Sequence, residues 1–480
     1  MVTRSSHLLG TVVLLGAVAT GCATTTPTTP PTTPTTLEPS GPTWPDPPAD
    51  RPVVELALEV AEDLASATGT ERVSFTPGAR VCEVVFRAWP NKPFTAATGN
   101  ALTVLDATVD GAEVTVRTEP GGAPPDSPGT LVTLPLAECT AAGQTLDVEL
   151  SFTVDLGEGT DERIGYSARE EVAWLGTAYP LLAWDGAGWA LDDAVPVPGE
   201  TTTSTAFELA SLVVRAPSRF EVTGVGAPAP AVQRADGTTE HRFSAPVVRD
   251  VTVTVGELDL VRESADGLTV VVAVPAGGSR APATEWAQEV LDAAADLSDH
   301  FGPVPYDELW VSVLPGVTDG VEYSGAIQFG DVDPRGERWL LVHEVAHQWF
   351  YGLVGNNQAR DPWMDEAFAN YAEHLVSGDD DPTEDAVGVP GAVGRPMEFF
   401  ADRRQPGRTY VDTVYLDGGR ALVQARRAVD PDAFDEAVRR YLAENAHAVA
   451  SPDDLVDALA GLPEAVQVLR DRGALPPEGR

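Results

Sequence analysis

The spacing of apolar residues changes character once along the chain. From about Arg51 to Val261 they come in short runs punctuated by Gly, Pro and Asp, as in Val81 to Ala88, Leu102 to Val109, Ala112 to Arg117, Leu146 to Val154, Ser211 to Ala216 and Val251 to Leu258. The stretch Thr145-Leu146-Asp147-Val148-Glu149-Leu150-Ser151-Phe152 alternates residue by residue. That period places one face on a core and the other in water. Many short strands with few helical stretches predict an all-β sandwich or saddle-shaped sheet domain. Near Leu268 the pattern turns mixed, and an α+β domain begins. Ala283 to Phe301 reads as one amphipathic helix stopped by Gly302. Leu309 to Leu314 and Val321 to Phe329 read as strands, and Arg335 to Val354 and Pro362 to Val376 as helices. Asp361 is placed to cap the second of these, with Pro362 at its first position and Gly378 past its end. Short helices fill Thr413 to Arg470, with Pro431 and Ser451-Pro452 marking two starts.

At 480 residues the chain exceeds one ordinary core, so two or three domains are expected. The partition read is a leader over 1–22, a tether over 23–50, the β domain over 51–262, the catalytic domain over 263–400 and a helical C-terminal part over 401–480. Charge narrows the partners. With 73 acidic against 31 basic residues the net charge is −42, a field that repels nucleic acid and anionic head groups. Lys92 is the only lysine.

The leader has Arg4 before an apolar run from Leu8 to Val18, too short to span a bilayer. Ala19-Thr20-Gly21-Cys22 follows it and resembles the acylation site of bacterial lipoproteins; an ordinary cleaved signal is the alternative. The reading is an exported protein, lipid-anchored through Cys22 at the outer face of a bacterial cell membrane. A Thr/Pro-rich stretch after Cys22 is extended by its prolines and packs no core. In an oxidising compartment Cys82 and Cys139 form an even pair. A bridge between them closes a loop of roughly 58 residues, contributing on the order of 4 kcal/mol in the chain-entropy model. Two separate buried thiols are the alternative.

The chemistry concentrates in His343-Glu344-Val345-Ala346-His347. Residues i and i+4 share a helix face, so both imidazoles can ligate one Zn2+. Glu344 then lies beside the open coordination position, placed to take a proton from water. Glu366, near the start of the next helix, supplies a carboxylate if the two helices lie antiparallel across a short loop. Two histidines and a carboxylate form the hydrolytic arrangement; a structural site is closed by four ligands, mostly cysteine. Glu373, two turns further on, is a candidate for orienting a histidine. His7, His241, His300, His374 and His447 (the last read as part of a late helix) carry no assigned role. Trp184 and Trp189 read as β-domain packing.

These residues resemble the zinc aminopeptidases of the aminopeptidase N type. The likeness is close over Leu291 to Val376, including Gln348-Trp349-Phe350 and Asp361-Pro362-Trp363, and looser back through the β domain and on to Leu459. It implies a thermolysin-like catalytic domain, one Zn2+ per chain, and release of N-terminal residues from peptides with a free N-terminus. The family's G-x-M-E-N strand, whose glutamate binds the substrate ammonium, corresponds to Asp319-Gly320-Val321-Glu322-Tyr323. Glu322 fills the glutamate position, while Asp319, Val321 and Tyr323 replace Gly, Met and Asn. The family's Y-x-K-G tyrosine, an oxyanion donor, corresponds to Tyr415 in Tyr415-Leu416-Asp417-Gly418, with Asp417 for lysine and Tyr410 as the rival. Many members continue into a large helical domain that covers the site, so a more open site is expected here. A zinc endopeptidase or oligopeptidase that ignores the free amine is the second reading. A non-catalytic cell-surface binding lipoprotein is the third.

Overall fold

The computed structural model describes residues 44–160, 162–197, 203–378 and 387–477. The leader, Cys22 and most of the tether lie outside them. Eight strands form the main sheet of the β domain, in the order Ala227–Gln233, Thr238–Val248, Phe207–Pro217, Val53–Val60, Ser66–Phe75, Leu146–Asp155, Ala101–Val109 and Ala112–Glu113. All neighbours in it are antiparallel except Val53–Val60 with Phe207–Pro217. Alternation does its expected work: Leu146, Val148, Leu150, Phe152 and Val154 face the core while their neighbours face water. Two four-stranded sheets pack against the same apolar core, which includes Phe75, Phe86, Leu134, Leu181 and Val253. Trp184 and Trp189 meet edge-on and pack on Phe75. The expected Ala112 to Arg117 strand is instead two fragments, Ala112–Glu113 and Arg117–Glu119, which pair into different sheets. Cys82 and Cys139 are bridged, joining the neighbouring antiparallel strands Val81–Arg87 and Leu131–Thr140.

The five-stranded sheet of the α+β domain runs Leu258–Ala265, Leu268–Pro275, Glu308–Leu314, Ala326–Gly330 and Gly320–Tyr323. Its first strand starts a few residues ahead of the expected boundary at 263, because Leu258–Ala265 pairs along its length with Leu268–Pro275. The run from Val321 to Phe329 is a hairpin rather than one strand. Gly325, at φ +71°, turns the chain so that Val321 pairs with Gln328 and Glu322 with Ile327. Glu322 therefore stands on an antiparallel edge strand.

Helix Ala283–Phe301 buries Trp286, Val290 and Leu297 and ends at Gly302, as its periodicity predicts. The helix carrying the motif is shorter than expected, Arg338–Ala346 rather than 335–354. Beyond it Gly352, Leu353 and Val354 donate to carbonyls five residues back, and Tyr351 sits at φ +123°. A Cβ on Gly352 would meet the Gln348 carbonyl and the Tyr306 hydroxyl at 2.8 Å, so the chain folds back there only on a glycine. Helix Trp363–Ser377 ends at Gly378 in the left-handed region. Asp361 does not cap it through its side chain: Pro362 already has helical dihedrals, and Met364 N donates to the Asp361 carbonyl. His447 lies in a turn at φ +67° rather than in a helix, its Nε2 3.0 Å from the Pro45 carbonyl. Asp430 and the Ser451/Asp454 pair cap the helices that begin at Pro431 and Pro452.

The two sheet systems meet through buried polar contacts. The Arg249 guanidinium donates to the carbonyls of Ser204, Leu353 and Ala448, and Trp310 Nε1 donates to Gly226. Among the described residues no helix is long and apolar enough to cross a membrane.

Candidate metal centre

Helix Arg338–Ala346 is buried over most of its length, with Leu341 and Val345 in the core; Arg338 at its start pairs with Glu289 and Asp296, while His343 and Glu344 line the cleft. His343 and His347 face the same way, ring centroids 4.9 Å apart. Helix Trp363–Ser377 packs across it and brings Glu366 Oε2 to 3.2 Å from His343 Nε2 and 3.5 Å from His347 Nε2. One donor atom from each of the three lies within 4.8 Å of the others.

The remaining ring nitrogens are committed elsewhere. His343 Nδ1 donates to Glu373 Oε1 at 2.8 Å, and His347 Nδ1 donates to the Phe350 carbonyl at 3.1 Å. With a metal ion bound, these bonds would fix both tautomers and leave each Nε2 lone pair for the ion beside Glu366. Asn370 donates in turn to Glu373. The electrostatics also call for a cation. Burial lowers the proton affinity of His343, yet its hydrogen bonds to Glu366 and Glu373 outweigh that and hold it well above the ordinary imidazole range. Burial raises Glu366, and the two histidines more than reverse it, keeping the carboxylate ionised. A dication meets the same demand, and two imidazoles plus one carboxylate suit zinc with an open position.

Glu344 sits next to these ligands. Burial pushes its carboxyl up to about 7 against the pull of His343 and His347, and Oε2 has no hydrogen-bond partner among the described residues. Gly320 makes room for it, since a Cβ there would lie 2.4 Å from Glu344 Cγ. Glu322 is buried, and its carboxylate falls within 4.8 Å of Glu344 and His347. Tyr415 stacks flat on His343, centroids 5.7 Å and planes 3° apart, and its hydroxyl donates to Glu366 Oε1 at 2.6 Å. A π-helical turn, Val411–Leu416, presents it. Its rival Tyr410 packs behind it, edge-on to Phe400.

All six residues read from the sequence line one cleft of about 510 Å3. Sequence reasoning missed three contributions: the room left by Gly320, the exposed Trp339 at the mouth, and a wall from the β domain where Lys92 Nζ meets Glu162 Oε2 at 3.3 Å. That Lys92 is the chain's sole lysine was the one available signal.

Residues 335–471 match the model of the peptidase family M1 domain. Over that stretch the chain is similar to the family M1 peptidases. Human endoplasmic reticulum aminopeptidase 1 is 26% identical over 210 residues, 37% of this chain and 22% of that protein. Aminopeptidase N of Lactobacillus delbrueckii subsp. lactis is 31% identical over 190 residues, 35% of this chain and 20% of that one. The matched stretch thus spans about a fifth of these curated relatives. In fold the chain is similar to the M1 zinc metallopeptidase of Deinococcus radiodurans, with TM-score 0.64 and 20% identity over 89% of this chain and 94% of that one. The M1 architecture of a β-rich domain followed by a catalytic domain and C-terminal helices is the one found here. His343, His347 and Glu366 are the residues of this centre that would hold one Zn2+.

Proposed function

We propose that the protein is a zinc aminopeptidase that releases residues singly from the free N-termini of peptides. The observation that carries this is the placement of Glu322 within the same few ångströms as Glu344 and His347. An anionic group fixed beside the metal ligands pairs with a protonated amine and sets the scissile bond one residue away. When bound, Zn2+ supplies Lewis acidity to the scissile carbonyl and the attacking water. Glu344, held near neutrality by burial, accepts the proton of that water and hands it to the leaving amine. Tyr415 turns its hydroxyl from Glu366 toward the oxyanion as charge develops there. A structure of a mutant of the Deinococcus radiodurans relative bound to a Tyr-Ser-Ala substrate supports a peptide as the class of ligand.

The test compares short peptides with free and acetylated N-termini, using Glu344→Gln as the blank. Stepwise cleavage of the free-amine set alone is expected. Internal cleavage of both sets would replace this reading with an endopeptidase, and no turnover by zinc-loaded protein across the panel would leave a binding protein.

We further infer export and lipid anchoring through Cys22. The run Ala19-Thr20-Gly21-Cys22 supports the anchor, and the Cys82–Cys139 bridge supports an oxidising compartment. Cys22→Ser should move the protein from the membrane fraction to the soluble one; an unchanged distribution would refute the anchor.

A further inference from the structure

Tyr351 holds a backbone conformation that its residue type avoids. Six other non-glycine residues among those described have positive φ, all between 48° and 67°, inside the narrow left-handed well. Tyr351, at φ +123°, lies outside that well, where glycine is the ordinary occupant. Its ring is buried, yet it lies outside the apolar cores of the described residues, which take in its neighbours Phe350 and Leu353. Apolar packing therefore does not account for a tyrosine here. The hydroxyl does: it donates to Asp250 Oδ2 at 2.7 Å.

Asp250 is fully buried in the β domain, between the strands Thr238–Val248 and Thr252–Gly256. Its other oxygen, Oδ1, accepts from Ser324 N at 3.0 Å, at the turn of the hairpin that carries Glu322. The residues beside it grip the same two segments. Arg249 N donates to Ser324 Oγ at 3.0 Å, and Gln328 Nε2 donates to Thr252 Oγ1 at 2.7 Å. The Arg249 guanidinium donates to the Leu353 carbonyl at 3.2 Å. One short stretch of the β domain is thus bonded both to that hairpin and to the chain just after the motif helix.

The second of these links reaches a ring of the centre. The peptide that joins Phe350 to Tyr351 carries the carbonyl oxygen 3.1 Å from His347 Nδ1. That peptide is planar, so rotation about the Tyr351 N–Cα bond turns it as a unit, and the φ of Tyr351 sets where the carbonyl points. Without the bond to Asp250 the strained dihedral loses its support, and the carbonyl turns off the imidazole.

We propose that Asp250 and Tyr351 are positioning residues, through which the β domain holds His347 and Glu322 at a fixed separation, one from each carboxylate oxygen of Asp250. This rests on the zinc aminopeptidase reading, in which that separation limits cleavage to one residue.

Tyr351→Phe removes one oxygen atom and frees the His347 arm alone. Zinc affinity should fall about tenfold by chelator competition, and the visible spectrum of cobalt-loaded protein should shift. At zinc saturation kcat on Ala-Ala-Ala should fall with KM near wild type. Asp250→Ala frees both arms and should raise KM as well. Asp250→Asn keeps an acceptor for Ser324 N and a donor for the tyrosine oxygen, and should restore most of both. Should Asp250→Ala not fold, Tyr351→Phe carries the test. A residue that only supports the fold would lower the unfolding free energy and leave zinc affinity and the cobalt spectrum unchanged; that result for Tyr351→Phe overturns the proposal. Wild-type protein that binds zinc and turns over no free-amine peptide sinks the aminopeptidase reading, and affinity and spectrum then still decide whether Tyr351 positions His347.

Discussion

Glu71 stands where an apolar residue belongs, and its consequence can be worked through. On the strand Ser66–Phe75 the inward positions are Ala67, Gly69, Glu71, Val73 and Phe75. Glu71 is 1% exposed, lies between Leu56 and Leu150 on the flanking strands, and its Oε2 has no hydrogen-bond partner among the described residues. Burial holds its carboxyl well above the usual range. In the unfolded chain it ionises near the ordinary glutamate value, so from there upward the folded state binds the extra proton. Stability therefore falls as pH rises, by about 1.4 kcal/mol per unit, until the folded group itself ionises. Over the interval from pH 5 to pH 8 the loss reaches at most about 4 kcal/mol. Glu71→Gln keeps the shape and removes the titration. It carries a constant offset for its buried amide, so the informative quantity is the difference from wild type as a function of pH. The guanidinium unfolding free energy of the mutant should gain on wild type progressively between pH 5 and pH 8, by up to about 4 kcal/mol. A difference independent of pH would refute the reasoning, because it would mean that Glu71 titrates alike in both states.

Three further outcomes bear on the metal centre. Glu373→Ala should weaken zinc affinity about 10- to 100-fold by releasing His343 Nδ1, read by competition with a chromogenic chelator; unchanged affinity would remove Glu373 from the centre. Gly320→Ala should abolish turnover while zinc still binds, since the new methyl displaces Glu344 and not the ligands; a kcat near wild type would show that the strand can shift without consequence. Tyr415→Phe should lower kcat by about 10² to 10³ with a small change in KM, and a loss confined to KM would make Tyr415 a binding group only.

How far the sequence could be read depended on whether a feature is local. His343, Glu344 and His347 needed only the i, i+4 spacing of one helix, and Glu366 only a second helix returning across a short loop. The β domain was legible through alternation, which the burial of Leu146–Asp155 reproduces. Periodicity failed where burial and backbone geometry part company. Trp349, Phe350, Leu353 and Val354 are all buried, so the apolar pattern continues, yet the backbone has left the helix for wider turns. An apolar period records which side chains are covered and is silent on the dihedrals that cover them.

The contacts that assemble the site are the part with no local trace. Gln348 marked the family likeness only as a neighbour of the motif, but its side chain has a specific task. Its Oε1 accepts from Gly325 N at 2.9 Å and its Nε2 donates to the Tyr323 carbonyl at 3.2 Å, both buried. These two bonds tie the chain just after the ligand helix to the hairpin that carries Glu322. Gly320 removes the Cβ that would keep the same strand away from Glu344. Glu322 and Glu344 are thus held in register by one amide and one missing methyl. Neither has a charge, a metal-binding group or a period that would single it out along the chain. Each acquires meaning only when the edge strand is laid against the helix, and that step belongs to tertiary packing.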